Sequence, residues 1–279
     1  HQRAMFNVKT GYLPNPYVAY PSIGAVLCHQ IPDSTIEIPT HVSIFPGQFP
    51  SRGGYLGAQY DAFQIGDPSK PIPDVVNKNS EERLNARHES LAVVESAFRR
   101  GRAQDLDEKR TLHLETMKSA RKMMTSHQLS AFNVSDEPKS VLDAYGNTPF
   151  GRGCIAARRL VDAGARCVEV SLGGWDTHIN NHELTAGRVS ILDPAFAALI
   201  KDLKERGLLE RTVVLCGGEF GRTPKLNGLD GRDHWPHGFS VAIAGGGIKG
   251  GRVIGETDPT GVKQSPANKV PVADLHATI

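Results

Sequence analysis

The sequence predicts an α/β domain built on a central, mostly parallel sheet flanked by helices, and three observations carry that prediction. Strand-like apolar runs alternate with helix-like blocks over the second half of the chain, each run ends in a loop, and the loops are rich in glycine, carboxylates and imidazoles. The clearest unit is a strand over residues 167–172, followed by Gly173-Gly174-Trp175-Asp176-Thr177-His178. A second strand, 212–216, leads into Gly217-Gly218-Glu219-Phe220-Gly221-Arg222-Thr223-Pro224. The segment Gly231-Arg232-Asp233-His234-Trp235-Pro236 stands just ahead of a third strand, 239–244, and Arg252 to Gly255 reads as a short extension. Between the first two strands a helix is expected over 193–206, with Asp193 as N-cap, Pro194 at the first helical position and Phe196, Leu199, Ile200 and Leu203 on one face. An earlier helix is expected from Phe150 to Ala163, ending at Gly164, whose position suits a left-handed cap.

The first half reads differently. Residues 1–80 are rich in Pro, Gly and Tyr, with short apolar pieces such as His41 to Phe45 between turn signals, which predicts loops and one or two strands. From 80 to 128 the spacing becomes helical, through Leu84, His88, Leu91, Val94 and Phe98, then Leu106 to Met124 after a break near Gly101. This predicts a helical hairpin projecting from a single domain that spans 1–279. The chain begins on His1 rather than Met, and 271–279 read as the opening turns of a helix, so the expectation is a domain trimmed at both ends.

Composition narrows the partners. Thirty-two Lys and Arg stand against 30 Asp and Glu, a net charge of +2, which argues against a phosphate-tracking nucleic-acid surface or a polybasic membrane patch. Arg99-Arg100-Gly101-Arg102 and Arg121-Lys122 fall within helix-like segments and read as solvated faces. No run approaches the roughly 18 apolar residues of a membrane span. Cys28, Cys154, Cys167 and Cys216 show no C-x-x-C spacing and leave the compartment undecided. Substrate and oligomeric state are not legible.

In open α/β sheets ligands bind beyond the carboxyl ends of the strands, where Asp176, His178 and Glu219 fall. Asp, Glu and His together are the ligand set of a divalent cation, and Asp176, His178, Glu219, Asp233 and His234 supply enough donors for one or two ions. Zinc is the first expectation, with manganese, calcium or magnesium as alternatives. His182 competes with His178 as ligand, and spacing does not choose between them. One Asp-x-His loop alone reads as a turn carboxylate beside a surface histidine; three such loops in one half favour a site over hydrogen bonding among polar groups. Trp175 and Trp235 either shield that site or simply pack. Arg222 and Arg232 are candidate binders of the non-bridging oxygens of a phosphate or sulfate, the alternative being ion pairs with Glu219 and Asp233. The run Gly245 to Gly250 matches G-x-G-x-x-G but precedes a strand-like segment, so it is not read as a nucleotide loop.

The segments GGWDTHINN, RGLLERTVVLCGGEFGRTP and GRDHWPHGFSVAIAGGGIKGG, with the weaker VAYPSIGAVL and YLGAQYDAF, resemble the bacterial proteins grouped as "domain of unknown function 1501". More broadly they resemble the sulfatase-like branch of the alkaline phosphatase superfamily. The resemblance implies an alkaline phosphatase-like fold, metal ions beyond the strand ends, hydrolysis of phosphate or sulfate esters, and a periplasmic or other extracytoplasmic location. Asp176 with His178 resembles the Asp and His of one metal position, and His234 the later metal histidine. Glu219 stands where the superfamily has the Asp of an Asp-His pair, and Phe220 stands in place of the His, which implies a weak or empty second position. The opening HQRAMFNVKTGYLP resembles the sulfatase signature, with His1 where the nucleophile belongs. That excludes formylglycine chemistry and makes His1, or a metal-bound water, the candidate nucleophile. Two functions are therefore expected in competition: a metal-dependent ester hydrolase, and a non-catalytic relative that binds an anionic glycan or a protein partner.

Overall fold

The computed structural model describes residues 1–76, 79–99, 112–262 and 267–279. The chain opens with helix α1 (Gln2–Thr10), stopped by Gly11 in the left-handed conformation at φ 79°. Helix α2 (Ile23–Gln30) follows, capped by the Ser22 hydroxyl, which accepts from the Ala25 N–H. Strands β1 (His41–Ile44) and β2 (Phe63–Ile65) bear out the expectation of one or two strands before residue 80. Helices α3 (Glu81–Arg99) and α4 (Leu112–Thr125) occupy the segment read as a hairpin. The expected break at Gly101 and the residues from Leu106 to Thr111 lie outside the described residues. Val93 and Val94 of α3 are exposed, so that helix is only partly packed.

Helix α5 (Lys139–Ala144) leads to α6 (Pro149–Asp162), which matches the helix expected from Phe150 to Ala163 to within one residue at each end. Thr148 accepts from the Gly151 N–H, Pro149 takes the first position, and Gly164 follows the last turn at φ 103°. Strand β3 (Cys167–Val170) then pairs with β1. The sheet has the order β2-β1-β3 with both pairings parallel, and Ser43 stands opposite Glu169. All four residues of β1 are buried, as the central strand of a covered parallel sheet requires. Phe150, Ile155 and Leu160 of α6 pack with Val42 and Ile44 in the core. Gly153 permits the close approach, because a Cβ there would lie 2.8 Å from Val170 Cγ1.

Two expectations are corrected here. The helix expected over 193–206 is α7 (Asn181–Glu205), 25 residues long, with Pro194 inside it and Asn180 as its N-cap. The added turns mix exposed polar residues such as His182 and Glu183 with exposed Leu184 and Val189, so their apolar pattern is weak. Pro194 resembles a helix start, yet burial of Ala195 and Leu203 keeps the helix continuous through it. The second correction concerns the sheet. Strand β4 (Val213–Gly217) does not extend the parallel sheet; after the short hairpin of β5 (Gly221–Arg222) and β6 (His234–Trp235) it pairs antiparallel with β7 (Val241–Gly245). The connection from β4 to β7 contains no helix, and a parallel return requires a long crossover. Arg252 to Gly255 forms no strand, although Glu256 makes an isolated bridge to Ala267. Helix α8 (Val272–Thr278) confirms the helix predicted at the C-terminal end, and its His276 Nε2 donates to the Val8 carbonyl of α1 at 2.9 Å. Among the described residues no helix is long and apolar enough to cross a membrane.

Candidate functional site

Three segments far apart in sequence are sewn into one surface. Beyond β3 the chain turns through Gly174, φ 91°, to Asp176 and the buried Thr177, whose hydroxyl donates to Asn181 Oδ1 at 2.7 Å and ties the loop to α7. The same loop is zipped to residues 227–232. Asn180 and Asn181 donate to the carbonyls of Leu229 and Asp230, and the Arg232 N–H donates to the Thr177 carbonyl at 2.9 Å. Gly231 is required there, because a Cβ would overlap the His178 carbonyl. Asn227 accepts from the N–H groups of Leu229 and Gly231, and donates to the His178 carbonyl and to Asp233 Oδ1. The β5–β6 hairpin pairs Arg222 with His234, which brings the Glu219 loop alongside.

The result is a convergence of donor atoms. His178 Nε2 lies 3.1 Å from His234 Nε2, and Asp176 Oδ1 lies 3.1 Å from the first and 2.9 Å from the second. Tetrahedral ligands on bonds of about 2.0–2.1 Å stand about 3.3 Å apart, so these three atoms have the spacing of ligands around one ion. Arg222 Nη2 also donates to Asp176 Oδ1, at 2.6 Å. Three nitrogens therefore converge on one carboxylate oxygen. On the other side of Asp176, Oδ2 lies 3.2 Å from His1 Nε2, while His1 Nδ1 meets Glu219 Oε1 at 2.6 Å. His1, Asp176 and His234 each place one donor atom within 4.8 Å of the others. Asp233 stands one step back, accepting from His178 Nδ1 at 2.8 Å and so turning Nε2 toward the centre.

Electrostatics follow that geometry. Partial burial pushes the Asp176 carboxyl up, but hydrogen bonds from Arg222 and His234 outweigh it and hold the group at about 2. Asp233 is lowered by its hydrogen bonds with His178 and Asn227. Both carboxylates are ionised at neutral pH.

The sequence-predicted residues thus separate into roles. Asp176, His178 and His234 meet directly; Glu219 joins through His1, and Asp233 through His178. His182 lies exposed on α7, with no hydrogen bond or ion pair to the cluster among the described residues. Arg222 is committed to Asp176 and to the carbonyls of Trp175 and Arg232, instead of to Glu219. Arg232 makes no side-chain hydrogen bond or ion pair among the described residues, with Asp233 or otherwise, and its Nε is buried. Phe220 packs its ring 5.0 Å from that of His1 and 4.4 Å from that of His234, beside two imidazoles that meet edge to face at 4.5 Å. Trp175 contributes its carbonyl to Arg222, and Trp235 packs near His237.

The sequence reading missed Asn227, whose only signal is a position six residues before Asp233. It also missed a cluster beneath α1, the helix that begins just after His1. Lys9 Nζ pairs with Glu169 Oε2 at 2.9 Å and reaches Ser51 Oγ at 3.1 Å, the Ser51 hydroxyl donates to Glu169, and buried His41 stands 3.9 Å away.

No curated protein and no solved structure matches this chain. A family profile does: the one described as "Protein of unknown function (DUF1501)" matches residues 1–279. The chain therefore belongs to the DUF1501 family over its whole length.

Proposed function

We propose that this chain is a metal-dependent hydrolase of phosphate or sulfate esters, related in fold and chemistry to the sulfatase-like branch of the alkaline phosphatase superfamily. The observation that carries this reading is the triangle of Asp176 Oδ1, His178 Nε2 and His234 Nε2, with edges of 2.9–3.1 Å. These residues would hold the ion, zinc first among the candidates, with His1 on the second oxygen of Asp176 and Glu219 behind His1. When bound, the ion supplies Lewis-acid polarisation of an ester oxygen and a lowered pKa for water. Arg222 fixes the carboxylate plane of Asp176, and Asp233 fixes the tautomer of His178. His1, with Nδ1 against Glu219 and Nε2 toward the site, is placed to take a proton from an attacking water. Family resemblance makes the periplasm or another extracytoplasmic compartment the proposed location.

A second reading has its own observation. Phe220 packs against both His1 and His234, which suits a relative that keeps the cluster for structure and binds an anionic glycan or a protein partner. Metal content by elemental mass spectrometry, beside an Asp176→Ala, His234→Ala variant, separates the two. Near-stoichiometric metal lost in the variant, with turnover of a phosphate or sulfate ester from a broad panel, is the expected outcome. Absence of metal after reconstitution overturns the hydrolase reading.

A further inference from the structure

A site for an ester anion needs a cation for the non-reacting oxygens, and Arg222 already commits three of its five N–H donors, and its charge, to Asp176 and two carbonyls. Arg188 of α7 is placed differently. Its guanidinium lies against Gly174, two residues before Asp176: a Cβ at Gly174 would come 3.1 Å from Arg188 Cδ, 3.2 Å from Nη1 and 3.3 Å from Cζ. The glycine leaves a slot that the planar side chain fills, so the group is half-buried and supported along one side. Among the described residues it has no hydrogen-bond or ion-pair partner. A guanidinium carries five N–H donors and no acceptor, and its fork matches two oxygens of a tetrahedral oxyanion.

We propose that Arg188 recognises the non-reacting oxygens of a phosphate or sulfate group bound beside Asp176, His178 and His234. It thereby sets the preference of the site for oxyanions. This rests on the reading of the site as an ester-binding metal centre, and it assigns the anion contact to Arg188 rather than Arg222. The geometry distinguishes the two: Arg222 faces a carboxylate and two carbonyls, whereas Arg188 meets no acceptor among the described residues.

The test is calorimetric titration of the full chain with inorganic phosphate and with sulfate, metal-loaded and metal-free, comparing wild type with Arg188→Met and Arg188→Lys. Methionine keeps an apolar stem over Gly174 while removing the donors, and thermal unfolding verifies that the variant folds. The expected result is phosphate affinity weaker by about 10- to 100-fold in R188M, the loss of a charged hydrogen-bond pair, with R188K intermediate and metal affinity unchanged. Equal phosphate affinity in R188M and wild type overturns the proposal, as does a wild type that binds neither anion in either state. Metal binding is measured separately. A chain that binds no metal yet loses phosphate in R188M would refute the hydrolase reading and leave Arg188 as the anion contact.

Discussion

Glu169→Gln tests the buried cluster that anchors α1, and its magnitude can be worked from the structure. Burial alone would push the Glu169 carboxyl up, but His41, the Lys9 ammonium and the Ser51 hydroxyl together outweigh it and hold the group at about 2, against an ordinary 4.5. The side chain is only 22% exposed, so solvent screening is modest. A depression of about 2.5 units corresponds to about 3 kcal/mol of folding stability at pH 7. Because the folded value is the lower one, this stability is complete above about pH 4.5 and is lost as the pH falls toward 2. Urea unfolding should show E169Q less stable than wild type by about 3 kcal/mol at pH 7, narrowing to about 2 kcal/mol at pH 3.5. The Lys9→Met, Glu169→Gln double variant should lose less than the sum of the single losses, since neither partner is left unpaired in it. A gap under about 1 kcal/mol at pH 7, or one that does not narrow with acid, would refute the reasoning and show that desolvation cancels the pair.

Two further substitutions probe the site. Asp233→Asn replaces an acceptor by a mixed amide on His178 Nδ1 and should weaken metal binding by about 10- to 100-fold in a competition titration, with the fold intact; unchanged affinity would remove Asp233 from the site. Gly231→Ala drives a methyl into the His178 carbonyl and should cost at least about 2 kcal/mol in urea unfolding, so a neutral effect would contradict the close contact of the two loops.

Much of the fold is legible because the signals are local. Thr148, Pro149 and Gly164 bound α6 through capping and backbone preference, which involve only neighbouring residues. Pro194 shows where local reasoning fails: it has the chemistry of a helix start, and tertiary burial of Ala195 and Leu203 overrides it. The site divides in the same way. The Asp and His residues of the cluster stand out because their loops adjoin recognisable strands, whereas Asn227 and the Lys9–Glu169 pair carry no pattern, being defined by contacts across long stretches of chain.

The sequence by itself determined the α/β class, the loops that bear Asp176, His178, Glu219 and His234, and the family to which those motifs belong. Only the tertiary structure decided that β4 pairs with β7. It also placed His178, and not His182, against Asp176, engaged Arg222 with Asp176, and brought His1 to Glu219 across 218 positions. The physical reason is that propensity, capping and periodicity act within a few residues. Strand partners, the rotation of a loop and the acceptor that a guanidinium meets are set by packing between segments whose separation in sequence carries no information about their distance in space.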